Sequence, residues 1–150
     1  MKISVMGTGY VGLVSGTCLA ERGHQVTCID IRSEVVQEIN AGRPPIHEIG
    51  LDNLLRSARD KGMLSATTDA KTAILDSDVT LICVGTPTVD GRMDMSQIVA
   101  AAKEIGSALA SKRGYHVVAV KSTVLPGTTE GPVKAAIESH SGKKVGDGWG

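Results

Sequence analysis

The stretch Met1–Asp30, MKISVMGTGYVGLVSGTCLAERGHQVTCID, constrains the fold more than any other part of the chain. A short apolar run with Ile3 and Val5 meets Gly7-Thr8-Gly9-Tyr10-Val11-Gly12. An amphipathic segment follows to about Arg22, Gly23-His24 turns, and a second apolar run ends in Asp30. Strand, glycine turn, helix and strand in that order predict a βαβ unit. Within it Gly7 allows the tight turn out of the strand, Gly9 lets the backbone approach a pyrophosphate, and Gly12 lets the helix pack close to the strands. Free N–H groups at the helix start, at the positive end of its dipole, suit phosphate oxygens. Asp30 lies eighteen residues past Gly12, near the spacing at which a carboxylate closing the second strand accepts hydrogen bonds from an adenosine ribose. Together these features predict dinucleotide binding; a glycine turn without a ligand leaves the position of Asp30 unexplained.

A length of 150 residues suits one domain, 1–150, with a sizeable core, and 41% apolar with 21% charged residues is ordinary for a globular chain. Aromatic residues are only 2% and Phe is absent, so the core must be built from Val, Ile, Leu, Ala and Met, as buried parallel strands usually are. The formal charge is zero, which points to no nucleic-acid and no anionic-membrane partner. No apolar run approaches the roughly 20 residues that span a bilayer. The MKISVMG start lacks the layout of a signal peptide, so a cytoplasmic location is expected. Cys18, Cys28 and Cys83 form no C-x-x-C pair and read as buried free thiols, Cys18 mid-helix against the sheet and the other two inside strands. His24, His47, His116 and His140 are scattered, and no metal site is expected.

Beyond Asp30, Ser33 is a candidate N-cap for a helix Glu34–Ala41, stopped by Gly42-Arg43-Pro44-Pro45. A helix from about Leu51 to Lys61 sets Leu51, Leu54, Leu55 and Ala58 on one face, and Leu64–Thr68 reads as a strand. Asp69 caps a helix Ala70–Leu75. Val79–Val84 is apolar almost throughout, as a central strand should be, and ends in Gly85-Thr86-Pro87-Thr88. Val89–Asp94 is turn-rich. A helix from about Ser96 to Lys112 precedes a strand Val117–Lys121, which runs into Ser122-Thr123-Val124-Leu125-Pro126-Gly127. Thr128 opens a last helix, and residues from Ser139 on are polar and glycine-rich. This alternation predicts an α/β, Rossmann-like, doubly wound parallel sheet with helices on both faces. Ligands of such sheets bind beyond the carboxyl ends of the strands where strand order reverses, so the loops after residues 6, 84 and 121 should converge there. On the residues alone, Thr86 and Thr123 suit cofactor contact and local turn bonding equally.

These loops resemble a known family. Gly7–Gly12, then Asn40-Ala41-Gly42-Arg43-Pro44-Pro45-Ile46-His47-Glu48-Ile49-Gly50-Leu51, then Val84-Gly85-Thr86-Pro87, then Lys121-Ser122-Thr123-Val124-Leu125-Pro126-Gly127-Thr128 look like the NAD-binding portion of the UDP-glucose/GDP-mannose dehydrogenases. The match runs in order through essentially the whole chain. The family oxidises the C6 hydroxymethyl of a nucleotide sugar to a carboxylate in two NAD-dependent steps, through a cysteine-bound thiohemiacetal and thioester. The resemblance implies that Tyr10 and Val11 line the pyrophosphate loop, that Asp30 holds the ribose, and that Thr86 and Thr123 contact the cofactor. It also implies a role for Thr123 in positioning the hydrolytic water. Two departures stand out: Val35 replaces a Lys that usually follows the ribose acid by five residues, leaving Arg32 as the nearest cation, and Glu48-Ile49-Gly50-Leu51 lacks the family's proline. Arg32 beside the acid weakens the preference for NAD over NADP that the acid sets.

None of the three cysteines sits in a motif like that of the family's nucleophile. The expectation is therefore a cofactor half: NAD bound by this chain, a nucleotide-sugar substrate only with a carboxy-terminal part, and no turnover by the chain alone. UDP-glucose, as the commoner substrate, is preferred to GDP-mannose. A non-catalytic dinucleotide-binding module is the reading from another class. Apolar surface left by an absent domain predicts weak homodimerisation.

Overall fold

A computed structural model describes residues 1–150. Its central strand is β1 (Lys2–Met6), which leads through helix α1 (Tyr10–Glu21) to β2 (Gln25–Ile29). Helices α2 (Ser33–Asn40) and α3 (Leu51–Asp60) follow, then β3 (Leu64–Thr67), α4 (Ala70–Leu75) and β4 (Val79–Ile82). A two-stranded hairpin, β5 (Thr88–Val89) and β6 (Arg92–Met93), precedes α5 (Ser96–Leu109) and β7 (Val117–Val120). A π-helical turn, Thr129–Val133, feeds α6 (Lys134–Ser141). Strand order is β3-β2-β1-β4-β7, parallel throughout, with Met6 opposite both Ile29 and Ile82.

The order reverses between β1 and β4: the chain leaves β1 toward β2 and β3, then returns to β1's other side. Both faces of the sheet are covered, as the alternating pattern predicts. On one face Val5, Leu13, Cys28, Ile39, Leu55 and Leu64 are sealed beneath α1, α2 and α3. On the other, Ile74, Ile82, Ile98, Ile105, Leu109 and Ile137 pack beneath α4, α5 and α6.

Several local expectations change. Ser33 is not a cap: α2 begins on it, Arg32 holds the N-cap position, and no side chain caps the helix, because a guanidinium has no acceptor to offer the first-turn N–H groups. Asp69 does cap α4, accepting from the Thr72 N–H at 3.0 Å. Leu54 is 40% exposed, so α3 buries only Leu51, Leu55 and Ala58. Cys18 is exposed rather than packed on the sheet, because α1 buries Leu13, Gly16, Thr17 and Ala20 and position 18 falls outside that stripe. Cys83 lies just past β4 rather than within it. The turn-rich stretch 89–94 is part of the hairpin, with Asp90 (φ 49°) and Gly91 (φ 73°) supplying the two positive-φ residues that a tight hairpin turn requires.

The polar tail also has structure. Trp149 is buried against the α5–α6 side, and residues 148–150 run beside β7 through His116 N–H to Gly148 O and Val118 N–H to Gly150 O, at 3.0 and 2.8 Å. His116 is sealed at the amino-terminal end of the sheet. Its Nδ1–H donates to Ser77 O at 3.1 Å, so Nε2 accepts from the Thr80 hydroxyl at 2.8 Å; Thr80 in turn meets Ser4 at 2.6 Å, and Ser77 reaches Ser4 at 3.0 Å. Four buried polar side chains thus satisfy one another.

Candidate dinucleotide site

The glycine loop leaves β1 at the reversal point, and its three glycines are required for different reasons. Gly7 has φ +93°, and a Cβ there would lie 2.8 Å from the Cys83 carbonyl oxygen. A Cβ on Gly12 would lie 1.8 Å from Gly7 O, because the first turn of α1 presses on the loop. At Gly9 a Cβ would meet nothing within 4 Å. The chain's own packing therefore demands Gly7 and Gly12, while Gly9 borders open space of the kind a phosphate group needs. Helix α1 begins there with no acidic residue in its first turn and no side-chain cap, and Leu13 N–H is the first to bond back, to Gly9 O at 2.9 Å. The N–H groups of Tyr10, Val11 and Gly12 are thus left to an external acceptor. Tyr10 and Val11 flank it, 56% and 48% exposed.

Asp30 closes β2 beside this loop, as the pairing of Met6 with Ile29 requires. It is 7% exposed. Thr8 donates both its backbone N–H, at 3.3 Å, and its hydroxyl to Oδ2. Arg32 donates Nε to Oδ1 at 3.0 Å and Nη2 to Oδ2 at 3.1 Å. Burial alone would raise the Asp30 carboxyl, but the bonds from Arg32 and Thr8 outweigh it and hold it down at about 2. The acid is therefore ionised and oriented at neutral pH. Thr8, fully buried, escaped the sequence reading although it sits inside the glycine motif; the signal was register, since a residue two past Met6 must face the end of β2. Val35, in place of the family's Lys, is buried and packs among the α1–α3 core residues, whereas Arg32 is exposed.

The loops after β4 and β7 meet the same edge. Thr86 Oγ1 donates to Thr123 O at 2.7 Å, and Ser122 Oγ donates to Val84 O at 2.7 Å. The Thr86 proton is thus spent on lacing the two loops, the local-bonding alternative, while its oxygen can still accept; the Thr123 side chain is exposed. Gly7, Gly9, Tyr10, Val11, Gly12, Asp30, Arg32, Thr86 and Thr123 all lie on the carboxyl-terminal edge of the sheet. Cys28 and Cys83 are buried, and that burial pushes their thiols up to about 12 and about 11. A separate concavity of about 520 Å³ opens at the opposite edge between Lys2, Asp76, Asp78 and Lys112. There the Lys112 ammonium is occupied by the carbonyls of Ile74, Leu75 and Ser77.

The arrangement suits a dinucleotide: open space where a Cβ at position 9 would stand, unpaired N–H donors around it, and an ionised acid on the neighbouring strand. Comparison with known proteins agrees. A model of the UDP-glucose/GDP-mannose dehydrogenase family, NAD binding domain, matches residues 1–148. The GDP-mannose 6-dehydrogenase of Pseudomonas aeruginosa is 49% identical over 151 residues, covering 100% of this chain and 35% of the relative. The UDP-glucose 6-dehydrogenase of Haloferax volcanii is 45% identical over 99% of this chain and 34% of its own length. A crystal structure of a ternary complex of the Pseudomonas aeruginosa GDP-mannose dehydrogenase superposes with a TM-score of 0.98 at 49% identity, over 100% of this chain and 35% of that one. A UDP-glucose dehydrogenase from Pyrobaculum islandicum gives 0.91 at 42% identity, over 95% and 33%. The chain spans about a third of the length of these relatives.

Proposed function

Because this chain belongs to the UDP-glucose/GDP-mannose dehydrogenase family, as its NAD-binding domain, we propose that it holds NAD for the oxidation of a nucleotide sugar at C6. The observation that carries this is the division of labour in the glycine loop, with Gly7 and Gly12 closed by packing and Gly9 left open before three unpaired N–H groups. NAD, when bound, supplies the hydride acceptor. The first turn of α1, with Tyr10 and Val11 beside it, would hold the pyrophosphate, and Asp30, steadied by Thr8, would face the adenosine ribose. Thr86 and Thr123 offer oxygens at the ends of β4 and β7 to the rest of the cofactor, and Thr123 is the candidate for positioning the hydrolytic water.

For the sugar we favour GDP-mannose over the UDP-glucose preferred from sequence. Support comes from the GDP-mannose 6-dehydrogenases that match the whole chain, one at 49% identity and a TM-score of 0.98, beside UDP-glucose enzymes at 45% over 99% and 48% over 85% of the chain. The 150-residue chain itself should bind NAD and turn nothing over: Cys28 and Cys83 are buried as neutral thiols, and Cys18 lies more than a turn into α1, away from the loop. Calorimetry with NAD, followed by an NADH absorbance assay with GDP-mannose and with UDP-glucose, tests both parts. The same two sugars are then offered to the chain fused to the carboxy-terminal part of a GDP-mannose enzyme and, separately, of a UDP-glucose enzyme. NAD binding without NADH from the chain, and faster NADH formation in the fusion that uses GDP-mannose, is the expected pattern. Absence of NAD binding by a folded chain rejects the function; NADH made by the isolated chain rejects the half-enzyme reading.

A further inference from the structure

Arg32 can stand beside the ribose acid in two ways, as a free cation available to a phosphate or as the acid's own counter-ion. The structure shows the second. Nε and Nη2 grip the two carboxylate oxygens in a parallel fork, at 3.0 and 3.1 Å, while the backbone N–H of the same residue bonds Oδ1 at 3.0 Å. The side chains differ in place: Asp30 is 6% exposed and Arg32 55%, so the acid is held within the loop and its counter-ion faces solvent. Glu34 lies nearby in the first turn of α2, exposed, and adds to the field that keeps Arg32 charged. No cation comes from position 35, where Val35 is buried. What a ligand meets at the end of β2 is therefore an ion pair and not a bare carboxylate.

This matters for one chemical difference, the 2′-phosphate that separates NADP from NAD. An unpaired acid at this place accepts from ribose hydroxyls and repels a phosphate. A carboxylate with a guanidinium at 3 Å presents opposite charges whose far fields largely cancel. Resting on the NAD reading above, we propose that Arg32 is a specificity-determining residue that acts through Asp30: by pairing with the acid it relaxes the exclusion of a 2′-phosphate, so that this domain accepts NADP as a weaker second ligand.

The test is the ratio of Kd for NADP to Kd for NAD, by calorimetry at low and high salt. It compares the unaltered chain, Arg32→Gln, Arg32→Lys, Asp30→Asn and the double variant Asp30→Asn with Arg32→Gln, each with a melting curve to show that it is folded. The unaltered chain should bind both dinucleotides, NAD more tightly, with a ratio that moves little with salt. Arg32→Gln should widen the ratio about tenfold at low salt, equivalent to about 1.4 kcal/mol. Added salt should narrow it again, because the acid left without its counter-ion is then partly screened. Arg32→Lys should fall between. In the Asp30→Asn background, Arg32→Gln should leave the ratio unchanged. An equal widening in that background makes Arg32 a direct phosphate ligand and overturns the proposal, as does an unmoved ratio in Arg32→Gln alone. If the folded, unaltered chain binds neither dinucleotide, the NAD reading fails and this inference with it; NAD binding with an unmoved ratio sinks the inference only.

Discussion

Two glycines three residues apart should fail in opposite ways when each is given a single methyl group. In Gly12→Ala the new Cβ would sit 1.8 Å from Gly7 O and 3.0 Å from Gly7 C. Carbon and oxygen ordinarily approach no closer than about 3.3 Å in van der Waals contact. The opposing atoms are backbone, fixed by Gly7 N–H bonding Ile29 O at 2.9 Å, so no side chain can swing aside and α1 must lift from the loop. Overpacking of this kind costs about 3 kcal/mol or more. For a chain of this length each kcal/mol is worth roughly 2–4 °C, so Tm should fall by about 6–12 °C. In Gly9→Ala the methyl meets nothing within 4 Å, and the backbone there (φ −71°, ψ −169°) suits alanine. The loss of glycine's freedom in the unfolded chain roughly offsets the poorer N-cap, so Tm should stay within about 2 °C. NAD affinity should nonetheless drop at least tenfold, and Gly9→Val should abolish binding. Thermal melts by circular dichroism and calorimetry with NAD measure the two effects on the same samples. The reasoning is refuted if Gly12→Ala melts like the parent, or if Gly9→Ala binds NAD unaltered.

Asp30→Ala removes a charged acceptor from the ribose and should weaken NAD by about 1–3 kcal/mol in titration calorimetry; an unchanged affinity would show that the carboxylate makes no contact. Thr8→Val deletes the hydroxyl donor that helps fix that carboxylate while keeping the shape, and should raise the Asp30 carboxyl from about 2 toward its ordinary value, a change that NMR titration reads directly. His116 is kept neutral first by burial and then by the Lys112 charge, at about 4 against an ordinary 6.5. The unfolded chain therefore takes up that proton first: the stabilisation is whole above about pH 6.5 and drains away as pH falls toward 4, by about 3 kcal/mol. Denaturant melts should show this loss and His116→Gln should flatten it; a parent whose stability is level between pH 6.5 and 4.5 contradicts the buried-imidazole account.

The βαβ unit was legible because its signals are local: glycine spacing, a run of apolar residues on either side, and an acid at the end of the second run. The doubly wound parallel sheet followed from alternation, since parallel strands need helical crossovers and these have one hand. What stayed hidden depends on partners distant in sequence. Thr8 looks like filler between two glycines until β1 and β2 are paired in register, and Arg32 looks like a free cation until the turn after Asp30 folds it back. Ser33 carries the right chemistry for a cap, yet Arg32 takes the position. Thr86 could be judged either way from sequence because turn bonding and ligand contact draw on the same hydroxyl, and the structure assigns its proton to Thr123 O. Trp149 and His116 lie 33 positions apart, and no periodicity announces that a glycine-rich tail will run beside an edge strand.

The placing of β1 at the centre of the sheet has a consequence for how the molecule breathes. Its amides and carbonyls are taken up by β2 on one side and β4 on the other, and Val5 is wholly buried. Such a strand gives up its protons to heavy water only when the whole domain opens, whereas the hairpin Thr88–Met93, two pairs long and largely exposed, does so by local fraying. The glycine loop hangs from that central strand, so the anchor of its donors should stay protected while the hairpin beyond β4 exchanges first.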